Sequence, residues 1–153
     1  MNRKIESTDK KLIVKQWEAS KKYWMTENEF TGIVVGKEAT NSEYVITDGV
    51  IEPENFIPNH YHKWEDQTFH IIKGKLEVKI GDQNLIIDAG ASVHCPRGIP
   101  HYMKNIGTEN AHIISYIFPG DWTEDFFIET SKQVKSGKID YKIIEEKFGV
   151  VYL

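Results

Sequence analysis

Six histidines lie between positions 60 and 112 of this 153-residue chain, and His60-Tyr61-His62 is spaced for chemistry. On a strand, residues i and i+2 point to one face, so both imidazoles reach the same side of a sheet. Two neutral imidazoles aimed inward make half of a transition-metal site. Further on, Pro96-Arg97-Gly98-Ile99-Pro100-His101 places another histidine after a rigid turn. The prolines fix the chain direction and the glycine allows a sharp bend. Gln67 opens the next strand and shares its parity with Phe69 and Ile71.

Such groups need rigid elements beneath them. Lys75-Leu76-Glu77-Val78-Lys79-Ile80 alternates apolar and charged residues, giving one buried and one wet face. Gly81-Asp82 supplies a tight turn, and 83–87 reads as the return strand. Thr68–Ile72 is a strand ended by Lys73-Gly74, with further candidates at 33–35, 44–47, 92–95, 102–105 and 112–118. Eight or nine short antiparallel strands within ~90 residues predict an all-β sandwich, barrel or jelly roll. The period then changes. Trp122–Lys135 places Phe126, Phe127 and Thr130 near helical spacing, and Asp140–Phe148 begins on an N-cap type and stops before Gly149, a C-cap type. The expected organisation is an N-terminal extension over 1–30, a β-barrel over 31–120 and a helical segment over 121–153. Leu12-Ile13-Val14 could add a strand, and Trp17 and Trp24 are expected to pack on the barrel.

Composition narrows the function classes. Forty per cent hydrophobic and 27% charged residues are ordinary for a folded domain. No apolar run approaches the ~20 residues of a membrane span. The opening Met-Asn-Arg-Lys-Ile-Glu has no apolar core or cleavage signal. A single cysteine, Cys95, forms no internal disulfide, which fits a reducing compartment, so the cytoplasm is expected. Nineteen Lys and Arg against twenty-three Asp and Glu give a net charge of −4, which argues against nucleic acid as partner. The basic stretch 1–22 is read as a solvated arm.

The segment from His60-Tyr61-His62 through Gln67 to Gly74 resembles the first motif of the cupin superfamily: His-x-His, three or four residues, Glu, six residues, Gly. Gly90 through Pro96-Arg97-Gly98, His101 and Asn105 resembles the second, with every fixed position met. Gly36–Thr40, Phe118-Pro119-Gly120, Phe126-Phe127 and Phe148-Gly149-Val150 extend the likeness to small single-domain bacterial cupins of the quercetin-dioxygenase-like group. The resemblance implies a double-stranded β-helix, a jelly-roll barrel, here with an N-terminal extension and two short C-terminal helices. It also implies a homodimer, consistent with the apolar Leu85-Ile86-Ile87.

It further implies that His60, His62 and His101 hold one divalent transition ion (Fe, Ni, Mn or Zn), with Gln67 completing the set. Two positions depart from the pattern. The family's opening glycine is Glu54, and its glutamate ligand is Gln67. A glutamine offers a carbonyl oxygen but no charge, which leaves the ion a stronger Lewis acid and removes a base. A three-histidine, one-glutamine set resembles cupins that bind uronates and promote their ring-opening or cyclisation. Some cupin dioxygenases manage with three histidines and no carboxylate.

Other residues take lesser roles. Glu65 is a candidate catalytic base or replacement ligand, weighed against a solvated loop carboxylate beside Asp66. Phe69 and Met103 share the parity of Gln67 and His101 and are candidate substrate-binding residues, or plain core. Parity sends His70 and His94 to the outer face, His112 has no partner in the sequence, and Cys95 reads as a small buried hydrophobe. Trp64, Trp122, Phe126 and Phe127 could form a lid. The expected function is a mononuclear metal enzyme on a small oxygen-rich molecule, either dioxygenase-like or an isomerase or cyclase. A non-catalytic sensing or storage module is the alternative.

Overall fold

In the computed structural model the chain is described at residues 12–14, 16, 20–26 and 29–153. Among these residues, eleven strands fall into two antiparallel sheets. One sheet runs β1 (Lys22–Trp24), β2 (Glu29–Val35), β3 (Val45–Ile51), β10 (Ala111–Phe118), β5 (Asp66–Lys73) and β8 (Ser92–Cys95). The other runs β11 (Val150–Tyr152), β4 (Phe56–His62), β9 (His101–Asn105), β6 (Lys75–Ile80) and β7 (Gln83–Asp88). Three helices are α1 (Lys37–Thr40), α2 (Thr123–Ser136) and α3 (Tyr141–Phe148).

The alternating pattern of β6 is realised: Leu76 and Val78 are fully buried while Lys75 and Lys79 face solvent. The turn into β7 puts Gly81 at φ 53, the left-handed region its missing Cβ allows. Leu76, Val78 and Met103 from one sheet pack against Phe69, Ile71, Val93 and Ile113 from the other. This is a two-sheet sandwich core, worth roughly 1.5–3 kcal/mol per fully buried large apolar side chain. Each sheet keeps its edges, β1 and β8 in one and β11 and β7 in the other, so the expected barrel is not closed.

Both C-terminal helices form, and α3 does so with the caps the sequence suggests. Asp140 accepts the Ile143 N–H at 3.1 Å, and Gly149 closes α3 at φ 67. Phe126, Ile144, Phe148 and Val150 form a second core beside the sandwich. The chain then runs into β11, an unanticipated strand that pairs with β4 and places Tyr152 opposite His60.

At the other end, Leu12 and Val14 are about nine-tenths exposed and in no strand, since nothing pairs with them among the described residues. Trp17 lies outside the described residues. Trp24 sits on β1, edge-on to Phe30 at 5.1 Å, with its backbone N–H bonded to Ser131 Oγ. Glu54, at the family's glycine position, adopts φ 64 and bonds Lys104 at 2.7 Å.

Candidate metal centre

Strand parity builds the site. His60 and His62 alternate inward on β4, and in register His60 stands directly opposite His101 on β9. The turn ahead of His101 is pinned from two sides. Gly98, at φ 78, donates its N–H to the His62 carbonyl at 2.7 Å. Arg97 donates its backbone N–H and two guanidinium N–H groups to the Asp66 carboxylate at 2.8, 3.1 and 2.9 Å, which holds that carboxyl down at about 2. The proline- and glycine-containing turn is therefore fixed against both β4 and β5, and His101 follows it into the interior, 2% exposed.

One nitrogen from each of the three imidazoles falls within 4.8 Å of the others. Each Nδ1 already has a partner: the Pro58 carbonyl for His60 at 2.7 Å, Glu65 Oε2 for His62 at 3.0 Å, and the Ile99 carbonyl for His101 at 3.1 Å. Because a carbonyl only accepts, Nδ1 carries the proton in His60 and His101, and their Nε2 lone pairs are free. Among the described residues, the Nε2 atoms of His62 and His101 are buried without any hydrogen-bond partner, and so is Gln67 Oε1. Burial, and then the neighbouring His101 and His62, hold the His60 imidazole well below its usual range. Burial and His62 push His101 down to about 4. Buried imidazole nitrogens and an amide oxygen of this kind fit a divalent transition ion.

The surrounding residues sort as follows. Gln67 and Phe69 on β5 line the same cavity as His60 and His62, and Phe69 lies edge-on to His101 at 5.8 Å. Met103, two residues on from His101 on β9, is fully buried in the sandwich core. Glu65 overturns the picture of a solvated loop carboxylate. It is 2% exposed, bonded to His62 on one oxygen and to Thr123 Oγ1 at 2.8 Å on the other. His70 and His94 face outward, bonded to Ser92 Oγ and Thr68 Oγ1. His112 has a carboxylate partner, Asp48 on the paired strand β3. Cys95 is buried, its thiol pushed up to about 12. Trp64 and Trp122 pack against each other at a tilt of 48° with ring centroids 4.8 Å apart, while Phe126 and Phe127 line the cavity.

Several cavity residues carried no recognised signal in the sequence. Glu29 on β2, Thr123 and Thr130 on α2 and Tyr152 on β11 all line it. Glu29 shares its inward parity with Thr31, a Glu-Phe-Thr alternation that reads equally well as a wet face.

The family model of the Cupin domain matches residues 48–117. The polyketide synthase CurC of Streptomyces cyaneus is 24% identical over 70 residues, 46% of each chain. Quercetin 2,3-dioxygenase of Bacillus subtilis is 20% identical over 103 residues, 67% of this chain and 30% of the relative. The chain spans about half, or less, of the length of the curated relatives it matches. Among solved structures, a predicted oxalate decarboxylase from Thermotoga maritima superposes with a TM-score of 0.66 at 16% identity, covering 70% of this chain and 99% of that one. KdgF from Halomonas sp. gives 0.60 at 14%, covering 67% and 88%. The two motifs, the two-sheet sandwich and the matched segment agree: residues 48–117 match the Cupin domain, and the fold is the one that cupin structures share.

Proposed function

We propose that the chain is a mononuclear metal enzyme that acts on a small oxygen-rich molecule, with His60, His62 and His101 as ligands and the Gln67 carbonyl oxygen as a further one. The observation that supports this most is that all three Nδ1 atoms are committed to other partners while one nitrogen of each ring lies within 4.8 Å of the others, which leaves the Nε2 atoms available to a shared ion. A divalent ion held there supplies Lewis acidity toward a substrate carbonyl or enol oxygen. The chain's own residues orient the imidazoles, keep those of His60 and His101 neutral by burial, and wall the cavity with Phe69, Phe126 and Phe127. Glu65 is read as a positioning residue for His62, since its two oxygens are taken by His62 and Thr123.

A glutamine at the fourth position favours a redox-neutral isomerase or cyclase over a dioxygenase. Polyketide synthase and dioxygenase relatives support both chemistries. Metal analysis and oxygen uptake on iron-, nickel-, manganese- and zinc-loaded protein test the reading. Stoichiometric metal lost in His101→Ala is the expected result, and protein that binds no ion in any form sinks it. Turnover without oxygen would remove the dioxygenase. A binding-only module is the alternative, marked by metal and ligand uptake without turnover. The organisation into 1–30, 31–120 and 121–153, a homodimer through the uncovered β7 edge, and a cytoplasmic location belong to the same proposal.

A further inference from the structure

The cavity beside the histidines has a second polar pole that the metal reading does not use. Glu29, at the start of β2, is buried, lines the cavity, and its Oε2 has no hydrogen-bond partner among the described residues. Thr130 Oγ1, from α2 on another side of the same cavity, is also buried and unpartnered. An orphaned buried carboxyl oxygen costs several kcal/mol unless something meets it, and two such atoms facing one cavity point to a bound molecule.

Tyr152 connects the two poles. Its ring lies 5.7 Å from the His60 ring, and its phenol feels the Glu29 carboxyl, which together with burial holds it above the usual range. The rest of the wall is largely apolar, with Ile51, Phe69, Ile113 and Phe126 joined by the hydroxyls of Thr31, Thr47 and Ser115 around a cavity of about 170 Å³. Among the described residues that line it there is no lysine or arginine. A ligand carboxylate or phosphate would therefore meet no lysine or arginine from these lining residues, and would face Glu29 and Glu65 instead.

We propose that Glu29 is a ligand-anchoring residue, and that the cavity takes a neutral, apolar-bodied molecule with a hydroxyl or keto oxygen at each end. One oxygen goes to the histidine pole and the other to Glu29 Oε2. Burial pushes the Glu29 carboxyl up to about 8, so at neutral pH it is protonated and both donates and accepts. This ligand class departs from the uronates that the glutamine-containing metal set brings to mind. It rests on the same cavity as the proposed function, but its test does not need the ion.

The test is fluorescence titration of the full chain, after dialysis against a chelator, with a naphthalenediol as neutral probe and a hydroxynaphthoate as its anionic counterpart. The diol is expected to bind at least tenfold more tightly than the carboxylate. Glu29→Gln, the same shape with donor and acceptor kept, should hold diol affinity within about threefold. Glu29→Ala should lose about tenfold, the scale of one buried hydrogen bond. Equal affinity for the two probes overturns the ligand class. Diol binding unchanged in Glu29→Ala overturns the anchor, and so does a Glu29→Gln variant that folds but loses as much as Glu29→Ala. Zinc titration of the same samples reads the histidine pole separately, so loss of metal binding with diol binding intact strikes only the metal reading.

Discussion

Glu65 and Thr123, 58 positions apart in the chain, are joined by a buried 2.8 Å hydrogen bond, and the same carboxylate holds His62 Nδ1 at 3.0 Å. The first residue of α2 thereby reaches the candidate metal centre through a single side chain. A carboxylate on the far nitrogen of a ligating imidazole fixes its tautomer and raises its basicity, and its loss typically costs 10–100-fold in metal affinity. Zinc competition titrations should show that loss in Glu65→Ala, a smaller one in Glu65→Gln, and a smaller one still in Thr123→Val, which leaves the His62 bond in place. Wild-type affinity in Glu65→Ala would remove Glu65 from the site's architecture.

Asn105, the last fixed residue of the second motif, has a purely structural part by comparison. It is fully buried, and its amide donates to the Ile51 carbonyl at 2.9 Å and the Glu109 carbonyl at 2.8 Å. Its Oδ1 accepts the Gly107 N–H at 2.9 Å. Asn105→Ala leaves two carbonyls and an N–H without a partner, so urea unfolding should register a loss of about 3 kcal/mol. Metal affinity of the folded fraction should stay at the wild-type value. A loss under 1 kcal/mol would show that water replaces the amide.

The inward faces were legible where one period dominated. Leu76 and Val78 alternate with charges, His60 and His62 sit two apart, and Asp140 and Gly149 bracket a helix, so β6, the histidine pair and α3 follow from local pattern. Glu65 was misjudged because a loop carboxylate beside Asp66 looks wet unless one knows that α2 returns to cover it. Glu29 and Tyr152 lie on strands whose partners, β3 and β4, are distant in sequence, so their burial is a property of the topology and not of their neighbours. Met103 has the parity of His101 but faces the sandwich core, because parity chooses a face and not a depth.

The strand β7 is the edge of its sheet, and Leu85 and Ile86 are 42% and 65% exposed. A six-residue edge strand with Leu85-Ile86-Ile87 at its centre is a template for another strand, and natural proteins blunt such edges with charge unless they use them. Sedimentation at micromolar concentration should find a homodimer, and Ile86→Lys should return a folded monomer. A wild-type monomer at those concentrations would count against the dimer, and a dimer that survives Ile86→Lys would place its interface elsewhere.

Stability of the metal-free protein should depend on pH through two opposed groups. The buried imidazoles of His60 and His101 are held below their ordinary value of 6.5, His101 at about 4, so the unfolded chain binds protons there that the folded chain refuses. Their contribution is complete above about 6.5 and is lost as pH falls toward 4. Glu29 acts the other way: its carboxyl is raised from 4.5 to about 8, so the folded chain keeps a proton that the unfolded chain releases. Its contribution is complete below about 4.5 and is lost as pH rises through 8. Tyr152, which faces Glu29 from β11, stays neutral across this window because burial and that carboxyl raise it further. Thermal unfolding should therefore show the wild-type midpoint falling between pH 6.5 and 8.5. Glu29→Gln, which has no proton to lose, should stay flat over the same interval and show the steeper acid limb. Parallel curves for the two proteins above pH 6.5 would mean that Glu29 is already ionised in the fold.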